Sequence, residues 1–125
     1  MENLIFIDDD QVVNCYHKIV VDSFNEVDGH LDCEFFDKTE TALDYLDSHD
    51  GDQPNYVFLD LNMSTANGWE FLETYFSRKN TDSRVIILST IENTDDRLKA
   101  LASPAVYDYC VKPLTVKYLE TILQY

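Results

Sequence analysis

The sequence alternates five short apolar runs with longer segments of helical spacing. The apolar runs are rich in β-branched and aromatic residues, and they span residues 4–7, 31–36, 56–59, 85–88 and 106–111. Continuous runs of this length are typical of strands that are buried on both faces, as in parallel sheets. The second run alternates more between apolar and polar residues, which indicates a strand near the edge of the sheet.

The segments between these runs predict helices. Apolar residues recur at helical spacing over residues 10–26, 39–48, 68–78, 94–102 and 115–124. Asp10 and Thr115 stand at expected N-cap positions, and Gly29 follows the first helix. The alternation predicts an α/β fold, a (βα)5 doubly wound and flavodoxin-like arrangement with a five-stranded parallel sheet in the order 2-1-3-4-5.

Length and charge limit the possible functions. The 125 residues suffice for one domain, and an apolar content of 45% argues against disorder. The net charge is −15, and the first 60 residues hold 16 of the 24 acidic side chains but only 2 of the 9 basic ones. Such a chain repels nucleic acid and anionic lipid, so neither is an expected partner.

Cysteine and histidine spacing predicts no structural disulfide or zinc site. Three widely spaced cysteines fit neither a disulfide framework nor a metal site. His17, His30 and His49 lack metal-ligand spacing, and we expect them to face solvent. The sequence contains no apolar run of membrane-spanning length and no signal-peptide pattern, so we expect a reduced cytoplasmic protein.

Polar side chains follow four of the predicted strands at the point where each strand ends. They are Asp8, Asp9 and Asp10 after the first strand, Asp60 after the third, Ser89 and Thr90 after the fourth, and Lys112 after the fifth. Pro113 follows Lys112 directly. In the expected strand order, Asp8, Asp9 and Asp60 converge at one edge of the sheet. Clustered carboxylates bind protons or a hard cation. With a lysine and a hydroxyl nearby, they suit phosphoryl transfer.

Each of these residues also has a plainer interpretation when it is taken alone. Asp10 is typical of an N-cap, and Asp8 and Asp9 could be capping or solvated loop acids. Lys112 before a proline is often a surface lysine at a turn. The occurrence of all of them at one sheet edge favours a functional site.

Over its whole length, the chain resembles the receiver domain of two-component response regulators. The residues that carry the resemblance, in order, are Asp8-Asp9, Asp60-Leu61-Asn62-Met63, Gly68, Ser89-Thr90, Tyr109 and Lys112-Pro113. Three positions depart from the commonest pattern: Ser64 replaces a proline, Asn67 replaces an aspartate before Gly68, and Thr90 replaces a smaller residue. The family often holds the proline equivalent to Pro113 in cis.

The resemblance implies a set of roles in phosphorylation. Asp60 becomes the phosphoacceptor, and Lys112 contacts the phosphoryl group. Asp9 and Asp60 ligate Mg²⁺ together with the backbone carbonyl of Asn62, and Asp8 contributes through a bound water.

The resemblance also implies a switch. Ser89 supplies the switch hydroxyl, and Tyr109 is the switch aromatic that turns inward after phosphorylation. Thr90 narrows access to the phosphoryl group. Asn62 and Ile91 hold the two positions that tune phosphate loss. An apolar Ile91 cannot orient water, so we predict a long phosphoryl lifetime.

The expected partners follow from the same resemblance. A sensor histidine kinase or a histidine phosphotransfer protein donates the phosphoryl group. A downstream protein binds the face made by the fourth helix, the fifth strand and the fifth helix. Because the sequence ends just after the fifth helix, we expect residues 1–125 to form one receiver domain without an output domain.

Three alternatives remain open from the sequence. One is a receiver-fold interaction module that is never phosphorylated. Another is a Mg²⁺-dependent phosphatase with an aspartate nucleophile, although Asp60-Leu61-Asn62 lacks the second acid of an Asp-x-Asp pair. The last is a flavin binder, which the three aspartates after the first strand disfavour. We expect a switch rather than an enzyme, with only self-phosphorylation and slow self-dephosphorylation.

Overall fold

Within the residues that the structure describes, five strands and five helices alternate. The structure is a computed structural model that describes residues 2–27, 29–49, 52–61, 68–77, 83–89 and 94–123. The elements are β1 (Glu2–Ile7), α1 (Gln11–Val27), β2 (Leu31–Phe36), α2 (Thr39–Ser48), β3 (Tyr56–Asp60), α3 (Gly68–Phe76), β4 (Arg84–Ser89), α4 (Thr94–Ala102), β5 (Val106–Val111) and α5 (Val116–Leu123).

The strands form one parallel sheet in the order β2-β1-β3-β4-β5, which confirms the predicted fold class and topology. The alternating second run forms the edge strand β2, as predicted. At the other edge, Val85 pairs with Val106 and Ile86 pairs with Asp108, so β5 bulges at Tyr107.

Helices cover both faces of the sheet because the central strands are apolar on both sides. Leu4 and Phe6 of β1 pack in one core with residues of α1 and α5. Ile5 and Ile7 pack in a second core with residues of α2, α3 and α4. The continuous apolar runs therefore separate two cores, as expected for parallel strands.

Element boundaries agree with the sequence to within one or two residues in the described parts of the chain. Asp60 and Ser89 are the last residues of β3 and β4, so these strands run slightly further than the apolar runs alone predict.

Asp10 caps α1, since its Oδ1 accepts hydrogen bonds from the backbone N–H groups of Val12 and Val13 at 2.9 and 3.3 Å. Thr115 caps α5 through its hydroxyl oxygen.

The buried face of α1 differs from the predicted one. Tyr16 is one of the apolar residues at helical spacing in this segment, but it is 40% exposed and its hydroxyl donates to the backbone oxygen of Leu114. His17, expected to face solvent, is instead 1% exposed. The inward face is formed by His17, Val20, Val21 and Phe24, which is a regular helical pattern with a histidine as its first member.

The outward face of α4 also departs from the sequence pattern. Leu98 and Leu101 are the large apolar residues at helical spacing in this segment, but they are 63% and 48% exposed. Among the α4 side chains that the structure describes, the small Ala100 is the one that is fully buried, and it packs in the second core. None of the helices in the described ranges is long and apolar enough to cross a membrane.

Candidate functional site

Three carboxylates meet at the carboxyl edge of the sheet. Asp8 and Asp9 follow β1 directly, and Asp60 ends the neighbouring strand β3. One carboxylate oxygen of each lies within 4.8 Å of the other two. Asp8 and Asp60 are buried, whereas Asp9 is half-buried. The convergence predicted from the strand ends is therefore observed, and we call these three residues the acidic cluster.

Asp8 is held in place mainly by backbone hydrogen bonds. Its N–H donates to the carbonyl of Phe36 at 3.0 Å, which ties it to the end of β2. Its Oδ1 accepts a hydrogen bond from the Asp10 N–H at 2.9 Å. Its carbonyl oxygen accepts from the side-chain amide of Asn14 in α1 at 2.9 Å. The sharp turn from β1 into α1 thus fixes this carboxylate before any ligand binds.

Lys112 is the cation that faces the acidic cluster. Its Nζ lies 2.5 Å from Oδ2 of Asp8 and 3.5 Å from Oδ2 of Asp60. The backbone N–H of Lys112 donates to the carbonyl of Ser89 at 2.7 Å, and this bond fixes the end of β5 beside β4. The peptide bond between Lys112 and Pro113 is cis. One buried ammonium group therefore bridges two carboxylates from different strands.

Ser89 and Tyr109 lie on the strands beside Asp60. Ser89 ends β4 and is 3% exposed. Tyr109 in β5 is 7% exposed, and its ring packs in the core shared with α2, α3 and α4. Its hydroxyl is buried and has no hydrogen-bond partner among the described residues. The sequence predicted a ring that turns inward after phosphorylation, but in this structure the ring is already inside.

Gly68 stands where the chain returns towards Asp60 and begins α3. A Cβ at this position would lie 3.1 Å from Cα of Leu61 and 3.2 Å from the carbonyl oxygen of Asp60. Those distances are shorter than an ordinary van der Waals contact. The glycine therefore allows α3 to pack directly against the backbone that carries Asp60.

Several residues predicted for the site lie outside the described part of the chain. They are Asn62, Met63, Ser64, Asn67, Thr90 and Ile91. Their proposed roles stay predictions.

The balance of charge in the pocket favours a divalent cation. In the part of the pocket that the structure describes, three carboxylates face one ammonium group, and burial makes the mutual repulsion of the carboxylates costly. Hard cations such as Mg²⁺ are ligated by oxygen, and every side chain in the acidic cluster offers only oxygen. The residues present therefore fit such an ion, and Lys112 is placed to attract an anionic group beside Asp60.

Sequence reasoning missed His17, which packs beneath this edge of the sheet. Its ring stacks on Phe6 with a centroid separation of 4.9 Å, and neither ring nitrogen has a hydrogen-bond partner among the described residues. Desolvation, followed by the positive charge of Lys112, lowers the pKa of His17 to about 4. The spacing of His17 with Val20, Val21 and Phe24 was the signal that could have placed it inside.

A sequence model described as the response regulator receiver domain matches residues 4–124. The chain belongs to this family. Members are generally signalling switches rather than enzymes. The acidic cluster and Lys112 thus lie within a receiver domain.

Relatives of this receiver domain come from bacteria and archaea. The "Probable methanogenesis regulatory protein FilR2" of Methanothrix harundinacea is 25% identical over 114 residues, which cover 89% of this chain and 74% of that protein. A two-component response regulator of Cytophaga hutchinsonii has a crystal structure with a TM-score of 0.88 and 25% identity, covering 99% of this chain and 95% of that one.

A second similar structure was solved in a phosphorylated form. It is a response regulator of Burkholderia pseudomallei, described as carrying a phosphorylated aspartic acid, a calcium ion and citrate. Its TM-score is 0.75 at 16% identity, and the match covers 99% of this chain and 67% of that one. At this identity, the similarity shows a common fold.

Proposed function

We propose that this receiver domain accepts a phosphoryl group on Asp60 from a phosphohistidine, with Mg²⁺ bound at the acidic cluster. The observation that carries the proposal is the position of Lys112, whose Nζ lies between carboxylate oxygens of Asp8 and Asp60 in a buried pocket. A phosphorylated aspartate and a divalent cation in the similar Burkholderia structure support the same chemistry here.

The transfer exchanges one bond for another. An oxygen of Asp60 attacks phosphorus as the bond from phosphorus to the donor imidazole nitrogen breaks, and the imidazole leaves as the neutral base after taking up a proton. Lys112 moves from Asp60 towards a phosphoryl oxygen and attracts its charge. By the family resemblance, Asp9, Asp60 and the backbone carbonyl of Asn62 would hold Mg²⁺, and the ion would supply positive charge to offset the negative charge of the phosphoryl oxygens.

The switch uses the residues beside Asp60. A phosphoryl group adds a charge of roughly −1.5 to −2 and three strong acceptors. The hydroxyl of Ser89, at the end of the adjacent strand, donates to one of these oxygens. A hydrogen bond to a charged group contributes roughly 1.5–3 kcal/mol, which shifts a two-state equilibrium about ten- to a hundredfold. Because Tyr109 is already buried in this structure, the switch does not require its ring to move inward.

Exposed apolar residues on α4 and β5 support the proposed output face. Leu98 and Leu101 of α4 and Tyr107 and Val111 of β5 are between 37% and 63% exposed. On α5, the Tyr118 hydroxyl donates to Asp108 of β5 at 2.6 Å, so a change in β5 reaches α5 directly. We propose that a downstream protein covers this surface.

The phosphodonor is proposed to dock on α1. This helix begins two residues after Asp9, and its exposed side includes Val12 and Ile19, which are 77% and 62% exposed. An apolar surface beside the acidic cluster would bring a phosphohistidine of a sensor kinase or phosphotransfer protein within reach of Asp60. The cytoplasmic location of the protein stays a prediction from the sequence.

Phosphorylation with a small-molecule donor tests the proposal. The protein is incubated with acetyl phosphate, with and without Mg²⁺, and its intact mass is measured. We expect a single phosphoryl adduct that requires Mg²⁺ and is absent from Asp60→Asn. Asp32→Asn, at an exposed position of β2, is the matched control and should keep the adduct.

Phosphoryl transfer and phosphate release together distinguish the proposed switch from an interaction module and from a phosphatase. A folded protein that binds Mg²⁺ but gains no phosphoryl group from acetyl phosphate or from phosphohistidine donors would instead be an interaction module. Steady release of phosphate from a phosphoester over many turnovers would indicate a phosphatase. Either result would contradict the proposed switch.

A further inference from the structure

An open groove lies between α3 and the α4–β5 segment, on the face of the sheet away from α1 and α5. Its volume is about 570 Å³, which falls within the range of roughly 300–1,000 Å³ that is typical of binding pockets. Trp69, Leu72 and Ala105 give it apolar walls, and Glu70 and Glu73 stand along its α3 rim. We call it the α3–α4 groove. None of its lining residues belongs to the acidic cluster.

One wall of the groove already holds a cation. The Nζ of Lys99 in α4 lies 4.3 Å from the centroid of the Trp69 ring. This is the geometry of a cation–π interaction, and both side chains line the groove. The face of Trp69 that looks into the groove is therefore suited to an alkylammonium or guanidinium group.

Negative charge exceeds positive charge along the groove. Glu70 and Glu73 are three residues apart on one helix and are both exposed, so their carboxylates lie on the same rim. Among the lining residues that the structure describes, Lys99 is the single basic side chain. The net charge of the whole chain, −15, adds a long-range field of the same sign.

We propose that the α3–α4 groove binds a basic amphipathic segment of a partner protein. An apolar side chain of the segment enters between Trp69 and Ala105, and its lysine or arginine side chains face Glu70 and Glu73. A second cation beside the Trp69 ring can replace Lys99 there. The groove shares α4 with the proposed output face, but its lining residues are different from Leu98 and Leu101. The proposal does not depend on phosphorylation of Asp60.

Trp69 provides the readout because it is the single tryptophan of the chain. The full protein is titrated with a helical leucine/lysine peptide and, in parallel, with a leucine/glutamate peptide of the same length. We expect a saturable change in tryptophan fluorescence with the basic peptide and none with the acidic one. Calorimetry with the same peptides measures the affinity independently.

Charge variants locate the binding surface. Neutralising two exposed carboxylates with Glu70→Gln and Glu73→Gln should weaken basic-peptide binding about two- to thirtyfold. The matched control is Asp22→Asn with Glu26→Gln, which makes the same charge change on exposed positions of α1 and should leave the affinity within twofold. Lys99→Gln should tighten binding, because it removes a competing cation from Trp69.

Three results would overturn the proposal. Equal weakening by the α1 control would show attraction to net charge rather than to the groove. Weaker binding of Lys99→Gln would contradict competition for Trp69. A tryptophan signal that follows protein concentration alone would show that a second copy of the chain occupies the groove. Circular dichroism of each variant establishes that it is folded.

Discussion

His17 should make the stability of this receiver domain depend on pH. The ring is buried at 1% exposure, stacks on Phe6 and lacks a hydrogen-bond partner among the described residues. Desolvation is the main cause of its lowered pKa, and the positive charge of Lys112 adds to it. The neutral ring is therefore the form that the native protein accommodates.

The sign and the size of the pH dependence follow from the difference between the pKa of His17 in the native protein and in the unfolded chain. Because the pKa is lower in the native protein, the unfolded chain binds the proton more tightly. The stability is complete above the unfolded pKa and is lost as the pH falls towards the native one. With a native pKa of about 4 and an ordinary value of 6.5, the free energy of unfolding should drop by about 2 kcal/mol between about pH 8 and about pH 5.

Urea denaturation of the wild type and His17→Leu at both pH values measures this contribution. A chelator removes divalent cations, so that both proteins are compared without a bound metal ion. We expect the leucine variant to lose about 2 kcal/mol less than the wild type on acidification. His30→Gln, at an exposed position, is the matched control and should follow the wild type. Parallel losses in wild type and His17→Leu would refute the reasoning.

Three further changes test the site and its supports. Lys112→Gln should slow phosphorylation of Asp60 by about a hundredfold, because the positive charge that stabilises the phosphoryl oxygens is lost. Calorimetry should show that the variant still binds Mg²⁺. Gly68→Ala should lower the free energy of urea unfolding by about 1–3 kcal/mol, since the methyl group meets Leu61 and the Asp60 carbonyl; unchanged stability would contradict that contact. Asp10→Ala should lower the free energy of unfolding by about 1 kcal/mol in the same assay through the lost N-cap, with Asp44→Ala at an exposed position of α2 as the matched control.

Most of the fold could be predicted from the sequence because its signals are local. Each buried strand is a continuous apolar run, and a parallel sheet with alternating helices leaves few possible strand orders. Asp8 and Asp60 are 52 positions apart in the sequence, but each lies at the carboxyl end of a strand, and these two strands are neighbours in the sheet. Chain topology alone therefore brought the acidic cluster together.

The sequence was less informative about which helix face is buried. In α1, His17 was predicted to face solvent because its side chain is polar, although the buried residues around it repeat at helical spacing. In α4, the larger apolar residues suggested the inner face, yet the helix packs with Ala100 buried and Leu98 exposed. A short helix with apolar residues on two sides fits either orientation, and only tertiary packing decides between them.

Contacts between side chains that are distant in the sequence could not be predicted either. Lys112 was expected near a phosphoryl group, but its bridge between Asp8 and Asp60 depends on how β5 aligns beside β4. The stacking of Lys99 on Trp69 likewise requires the packing of α4 next to α3. Such pairs have no signature in local periodicity.

The phosphoacceptor assignment can be tested at the level of the single residue. After reaction with acetyl phosphate and Mg²⁺, borohydride reduces an aspartyl phosphate to homoserine, and peptide mass spectrometry locates the product. The account predicts homoserine at position 60, with Asp8 and Asp9 unchanged and no product when Mg²⁺ is omitted. Homoserine at Asp8 or Asp9 with Asp60 intact, or no homoserine in a folded protein that binds Mg²⁺, would contradict it.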